Sequence, residues 1–157
     1  MKLLIEYLEN YDKSWGELAY KHADDSGFDL RAAISAPVTL HPGEHLLIDN
    51  GIKIEFQGPF PLPDSFIYEI QVRPRSGLAA KNGISVVNTP GTVDFGYRGE
   101  LKTNLINLGT TDFIINPGDR IAQAVICPVL QMPLMAVSQV NTDTTRGSGG
   151  FGSTGTK

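Results

Sequence analysis

The chain has 157 residues, of which 41% are hydrophobic and 19% charged, with a formal net charge of −4. That length suits one domain with a sizeable core. The acidic balance argues against a protein working through a broad basic surface on nucleic acid or anionic membrane, and a single cysteine, Cys127, rules out an internal disulfide framework.

The opening residues, Met1 to Ile5, are soon broken by Glu6 and Glu9, which is not a signal-peptide pattern. No apolar run approaches the ~20 residues of a membrane span, so a soluble cytoplasmic protein is expected. Short runs at Leu46–Ile48, Gly51–Phe56 and Phe66–Arg73 predict strands. So do Gly99–Asn107, Phe113–Ile115, Arg120–Val129 and Met132–Val140. Turn signals separate them: Pro42-Gly43, Asp49-Asn50-Gly51, Gly58-Pro59, Pro90-Gly91 and Asn116-Pro117-Gly118-Asp119. Between Phe66–Arg73 and Gly99, Ser76–Gly83 predicts about two turns of helix, with Ser76 as cap and Asn82-Gly83 as stop. Gly58 to Ser65 holds Pro59, Pro61 and Pro63 and reads as a stiff excursion between strands. Many short strands with 17 Gly and 10 Pro point to an all-β sandwich or barrel. From Thr142 onward apolar residues nearly vanish, which divides the chain into a β domain, 1–141, and a flexible glycine-rich tail, 142–157.

Three local patterns suggest chemistry that their context denies. His41-Pro42-Gly43-Glu44-His45 matches H-x-x-E-H, but that metal motif needs a helix, which Pro42-Gly43 forbids. Gly147 to Thr154 nearly spells a phosphate loop, yet Ser153 stands where lysine belongs and no helix follows. Cys127 sits in the apolar stretch Ile121–Pro128, which predicts a buried structural thiol.

Polar chemistry concentrates in five segments. They are Asp24 to Ala32, Arg73 to Ala79, Asn88 to Glu100, Gly118 to Gln123, and the tail Arg146-Gly147-Ser148-Gly149-Gly150-Phe151-Gly152-Ser153-Thr154-Gly155. The tail combines many free backbone N–H groups, a guanidinium for phosphate and a ring for a planar base. In order, spacing and content the five resemble the motifs of the trimeric dUTP pyrophosphatases (dUTPases), over roughly Gly27 to Gly155. The resemblance implies a β-clip, a jelly-roll-like distorted barrel with one short helix. It also implies a homotrimer whose C-terminal tail is exchanged between subunits, and Mg²⁺-dependent hydrolysis of dUTP to dUMP and pyrophosphate. That reaction supplies dUMP for dTMP synthesis and keeps uracil out of DNA.

By the same resemblance, Asp94 is the general base that takes a proton from the water attacking the α-phosphorus. Tyr97 packs beneath deoxyribose and excludes a 2′-hydroxyl. Asn88, Thr92 and Val93 belong to the hairpin that reads uracil largely through main chain, and Lys102 is a further contact nearby. Arg75, Ser76, Gly77 and Gln123 bind phosphate, with Ser76 at the helix start. Asp29 supports Mg²⁺ through water, and Mg²⁺ takes most of its ligands from phosphate and solvent. In the tail, Phe151 stacks on uracil, while Arg146, Gly152, Ser153 and Thr154 close over the substrate and its γ-phosphate. Departures from the family pattern are Gly96, where a second aspartate often stands, Ser26-Gly27 in place of Ala-Gly, and the long 58–65 excursion.

Two rival readings are open to test. The related dCTP deaminases share fold and phosphate handling, but typically have Trp at the place of Tyr97 and a catalytic Glu at that of Asn104. A nucleotide-gated regulatory trimer is the other, with the 58–65 excursion as the feature that would serve a partner.

Overall fold

Apolar residues that alternate with polar ones bury one face of a strand. In β6 (Phe66–Pro74), Tyr68, Ile70 and Val72 are buried while Glu69, Gln71 and Arg73 are not. A computed structural model describes residues 2–59, 63 and 65–150. The strands before β6 are β1 (Lys2–Tyr7), β2 (Gly27–Arg31), β3 (Val38–Leu40), β4 (His45–Asp49) and β5 (Ile52–Gln57). After it come β7 (Ile84–Val86), β8 (Gly91–Val93), β9 (Lys102–Asn107), β10 (Phe113–Ile115) and β11 (Arg120–Leu130).

They form four small antiparallel sheets: β1-β5, β10-β3, β2-β11-β6-β8 and β4-β9-β7. The architecture is the expected all-β, jelly-roll-like barrel with one short α-helix. Leu30, Leu40, Ile52, Ile70, Leu105 and Ile115 are fully buried in one core shared by all four sheets. Each such side chain contributes about 1.5–3 kcal/mol on burial. The fully buried polar residues Asn50, Thr103 and Asn107 are bonded in place. Thr103 Oγ1 donates to Asn50 Oδ1 at 2.9 Å, and Asn107 Nδ2 donates to the carbonyls of Leu40 and Thr111 at 2.8 Å each.

The helix, α1, spans Ser76–Asn82. Its stop is as predicted: Gly83 takes φ 70° and its N–H donates to the carbonyls of Ala79 and Leu78, a conformation that glycine adopts without steric cost. Its start differs. Arg75 holds the cap position without a side-chain cap bond, and Ser76 is the first helical residue. His41 to Glu44 is a turn, closed by His41 N–H on Glu44 Oε2 at 2.9 Å, with Gly43 at φ 79°.

Met132–Val140 is not a strand. It pairs with nothing among the described residues, and Leu134 and Met135 are 98% and 84% exposed. An apolar run becomes a strand only beside a partner edge, and the described residues offer it none. Conversely β1, interrupted by Glu6, was not foreseen; Glu6 points outward while Leu3, Ile5 and Tyr7 pack on the core. The strand expected from Gly99 begins only at Lys102. Cys127 is half-buried rather than buried: it lies on the outer side of β11, with its Sγ 3.7 Å from Arg73 Nη2.

Candidate active site

The four-stranded sheet carries chemistry on both of its edges. At one edge, antiparallel pairing sets Asp29 of β2 opposite Gln123 of β11, and Gln123 opposite Arg73 of β6. Arg75 follows directly after β6 and turns back to Asp29. Its Nε donates to Asp29 Oδ1 at 2.8 Å and its Nη1 donates to the Arg120 carbonyl at 3.0 Å. Arg120 Nη1 donates to Asp29 Oδ2 at 3.1 Å. One carboxylate thus holds two guanidiniums side by side. Gln123 Nε2 donates to the Pro74 carbonyl at 2.9 Å, which fixes the chain just before Arg75. Asp29, Arg75, Arg120 and Gln123 line a cleft of about 300 Å³ together with Lys21 and Asp25. Ser76 and Gly77 begin α1 beside it, both exposed.

Arg120 and Lys21 were not foreseen as site residues. Arg120 had a signal, since it stands three positions before Gln123 within the same motif. Lys21 had none, because only the fold brings its loop to this cleft.

At the other edge, Asn88, Gly91, Thr92, Val93, Lys102 and Asn104 line a smaller cavity of about 190 Å³. β8 pairs with β6, setting Thr92 opposite Gln71. Gly91 is buried there: a Cβ on it would meet the Asn88 amide at 3.3 Å and Val72 Cβ at 3.4 Å. Lys102 lines the cavity with its stem, but its ammonium lies 2.7 Å from Asp49 Oδ1. That bond raises the lysine pKa above its ordinary value.

Asp94 and Tyr97 follow β8 in a tight turn, closed by Tyr97 N–H on the Asp94 carbonyl at 3.0 Å. The turn is pinned from both sides. The Phe95 ring stacks on Phe56 with centroids 5.4 Å apart, and Arg98 Nη1 donates to the carbonyls of Phe95 and Tyr97 at 2.9 Å each. Asp94 is therefore exposed on a rigid support, directly after Val93 of the cavity wall. Tyr97 Oη donates to the Glu100 carbonyl at 2.9 Å, so its ring lies across Gly99, where a Cβ would fall 2.6 Å from Tyr97 Cζ.

Among the described residues no group of three or more His, Cys, Asp or Glu is placed to hold a metal ion directly. Each Asp29 oxygen accepts one guanidinium N–H, which leaves lone pairs for a water. This donor set fits a Mg²⁺ ion carried mainly by phosphate oxygens and its own waters.

Of the tail, Arg146 is described: it is exposed, and its Nε donates to the Gly149 carbonyl at 3.0 Å. Phe151, Gly152, Ser153 and Thr154 lie outside the described residues. No described helix is long and apolar enough to cross a membrane.

The chain is similar to known proteins over most of its length. The sequence model of the dUTPase family matches residues 13–155. The deoxyuridine 5'-triphosphate nucleotidohydrolase of Maricaulis maris is 56% identical over 141 residues, covering 88% of this chain and 87% of its own. That of Rickettsia akari is 52% identical over 151 residues, covering 96% and 95%. Among solved structures, the dUTPase of Staphylococcus bacteriophage 80alpha with dUPNHPP superposes with a TM-score of 0.75 at 26% identity, covering 98% of each chain.

Proposed function

The chain belongs to the dUTPase family, and from that premise we propose that it hydrolyses dUTP to dUMP and pyrophosphate. The observation that carries the reading is a guanidinium-lined cleft together with a small cavity whose one charged lining residue, Lys102, is paired with Asp49, and whose wall residue Val93 leads directly into Asp94. A triphosphate suits the first and a pyrimidine the second.

Asp94 accepts a proton from the attacking water, which adds to the α-phosphorus as pyrophosphate leaves. Its turn holds the carboxylate still, so little reorganisation is needed at the moment of reaction. Arg75, Gln123 and the exposed start of α1 at Ser76 and Gly77 take up phosphate oxygens, and Arg120 adds a second guanidinium. Asp29 would help hold a Mg²⁺ ion through water, and the ion would neutralise phosphate charge. Asn88, Thr92 and Val93 frame uracil, and Gly91 lets the backbone approach where a thymine methyl would need room. Tyr97 lies beneath deoxyribose and leaves a 2′-hydroxyl without space or partner. Arg146, Phe151, Gly152, Ser153 and Thr154 close over the bound nucleotide.

The working form is a homotrimer in which residues 142–157 of one subunit cover another's site, and 1–141 form the β domain. The exposed run Met132, Leu134, Met135, Val137 and Val140 supports this, since a stretch that apolar calls for a covering surface. The dUMP formed is the kind of product a thymidylate-forming step consumes.

The test is pyrophosphate release from dUTP, UTP, dCTP and dTTP, with and without Mg²⁺. Turnover is expected with dUTP and Mg²⁺ alone. Ammonia release from dCTP would instead support a deaminase.

A further inference from the structure

Thr103, Leu105 and Asn107 of β9 are buried on the core side, so Lys102, Asn104 and Ile106 stand on the opposite face of the strand. Lys102 and Asn104 both line the smaller cavity. They differ in what they are already bonded to. The Lys102 ammonium is committed to Asp49 on the neighbouring strand. Asn104 Oδ1 is buried and has no hydrogen-bond partner, alone among side-chain atoms of the described residues. The fully buried amides Asn50 and Asn107 are bonded through both their oxygen and their nitrogen.

Native folds rarely keep a buried carbonyl oxygen unpaired, because its desolvation is not offset. A leucine of nearly the same size would fill the position without that penalty. The amide therefore needs a reason outside the fold, and the cavity it lines supplies one.

We propose that Asn104 is a specificity-determining residue, whose Oδ1 accepts the ring N3–H of a bound uracil directly or across one ordered water. This rests on the dUTP reading above. Oδ1 is the buried, unpaired end of the amide, so a small turn about the soft terminal torsion brings it to a ligand, whereas presenting Nδ2 instead needs a full half-turn. Uracil carries a proton on N3. Cytosine carries none there and would set two acceptors face to face, leaving the oxygen unpaired as before. Asn104 thus adds a side-chain element to a pocket otherwise read through main chain.

The experiment is steady-state pyrophosphate release from dUTP and dCTP by the full chain, wild type against Asn104→Leu and Asn104→Ser, with the melting temperature of each ligand-free protein. Asn104→Leu is expected to raise KM for dUTP about tenfold while holding kcat within about twofold. The dUTP-over-dCTP ratio of kcat/KM falls by a similar factor, and the variant melts no lower than wild type. Asn104→Ser keeps a smaller acceptor and falls between, and it carries the test should the leucine variant not fold. An unchanged KM in a folded variant overturns the role of Asn104 and leaves dUTP hydrolysis standing. An equal rise in KM for both nucleotides also overturns it, because a packing role acts on both alike. A wild-type chain that releases no pyrophosphate from dUTP overturns the reading beneath it as well.

Discussion

Asp29 Oδ1 accepts the Arg75 Nε–H at 2.8 Å across 46 residues of sequence. The same carboxylate holds Arg120, so three motifs meet at one side chain. Asp29 and Arg75 side chains are about one-third exposed, so the pair itself adds about 1 kcal/mol or less to stability. Its larger effect is to aim the guanidinium. Asp29→Asn is expected to melt within a few degrees of wild type and to lose about 10- to 100-fold in kcat/KM for dUTP. Circular dichroism melting and initial rates check both halves.

Asp94→Asn keeps the turn, because the bond closing it runs through main chain. Affinity for a non-hydrolysable dUTP analogue should persist, while kcat falls by about 10²–10⁴. Calorimetric titration beside a turnover assay separates the two. A fully active Asp94→Asn protein removes this residue from the base role.

Gly99→Ala pushes a methyl into the Tyr97 ring, whose Cζ would lie 2.6 Å away. The ring must lift or the hairpin must shift. Discrimination between dUTP and UTP is expected to fall by about tenfold or more. Tyr97→Phe, which removes only the hydroxyl bonded to the Glu100 carbonyl, should change it less. The paired kcat/KM ratios decide.

Removal of residues 146–157 leaves every described strand intact, since the last ends at Leu130. The truncated chain should therefore keep the far-ultraviolet spectrum and oligomer size of the full protein. Its dUTP turnover should drop by about 100-fold through loss of a water-excluding cover. Full-rate hydrolysis by the truncated chain would mean that the glycine-rich end takes no part.

His41 Nδ1–H donates to Asp112 Oδ1 at 2.9 Å, and that hydrogen bond raises the imidazole pKa above its ordinary value. A raised folded-state pKa means stabilisation that is fully present below the unfolded value of about 6.5 and lost as pH rises through the folded one. In proton NMR titration the His41 pKa should fall toward the ordinary value in Asp112→Asn. The urea midpoints of the two proteins should differ more at pH 5.5 than at pH 8.5.

How much was legible in the chain depended on how local the cause was. The α1 stop is local: Asn82-Gly83 ends a helix wherever it stands, because glycine alone takes the left-handed turn without strain. Asp94 and Tyr97 share one short motif, so their proximity was readable too. β1 was hidden because Glu6 looks like an interruption until β5 fixes which face is outside. Met132–Val140 misled for the opposite reason, having strand composition but no edge to pair with among the described residues.

The order of residues by itself determined an all-β chain with one short helix, and the five motifs that mark its family, because turn chemistry, period-two burial and contiguous motifs act over a few residues. Tertiary structure alone decided which charges meet. Asp29 reaches Arg75 and Arg120 because β2, β11 and β6 are neighbours in a sheet, and the Lys102 ammonium is paired with Asp49 because β4 lies beside β9. It also left Asn104 Oδ1 buried without a partner. Hydrogen bonding and desolvation depend on distance in space, and strand pairing sets that distance independently of separation along the chain.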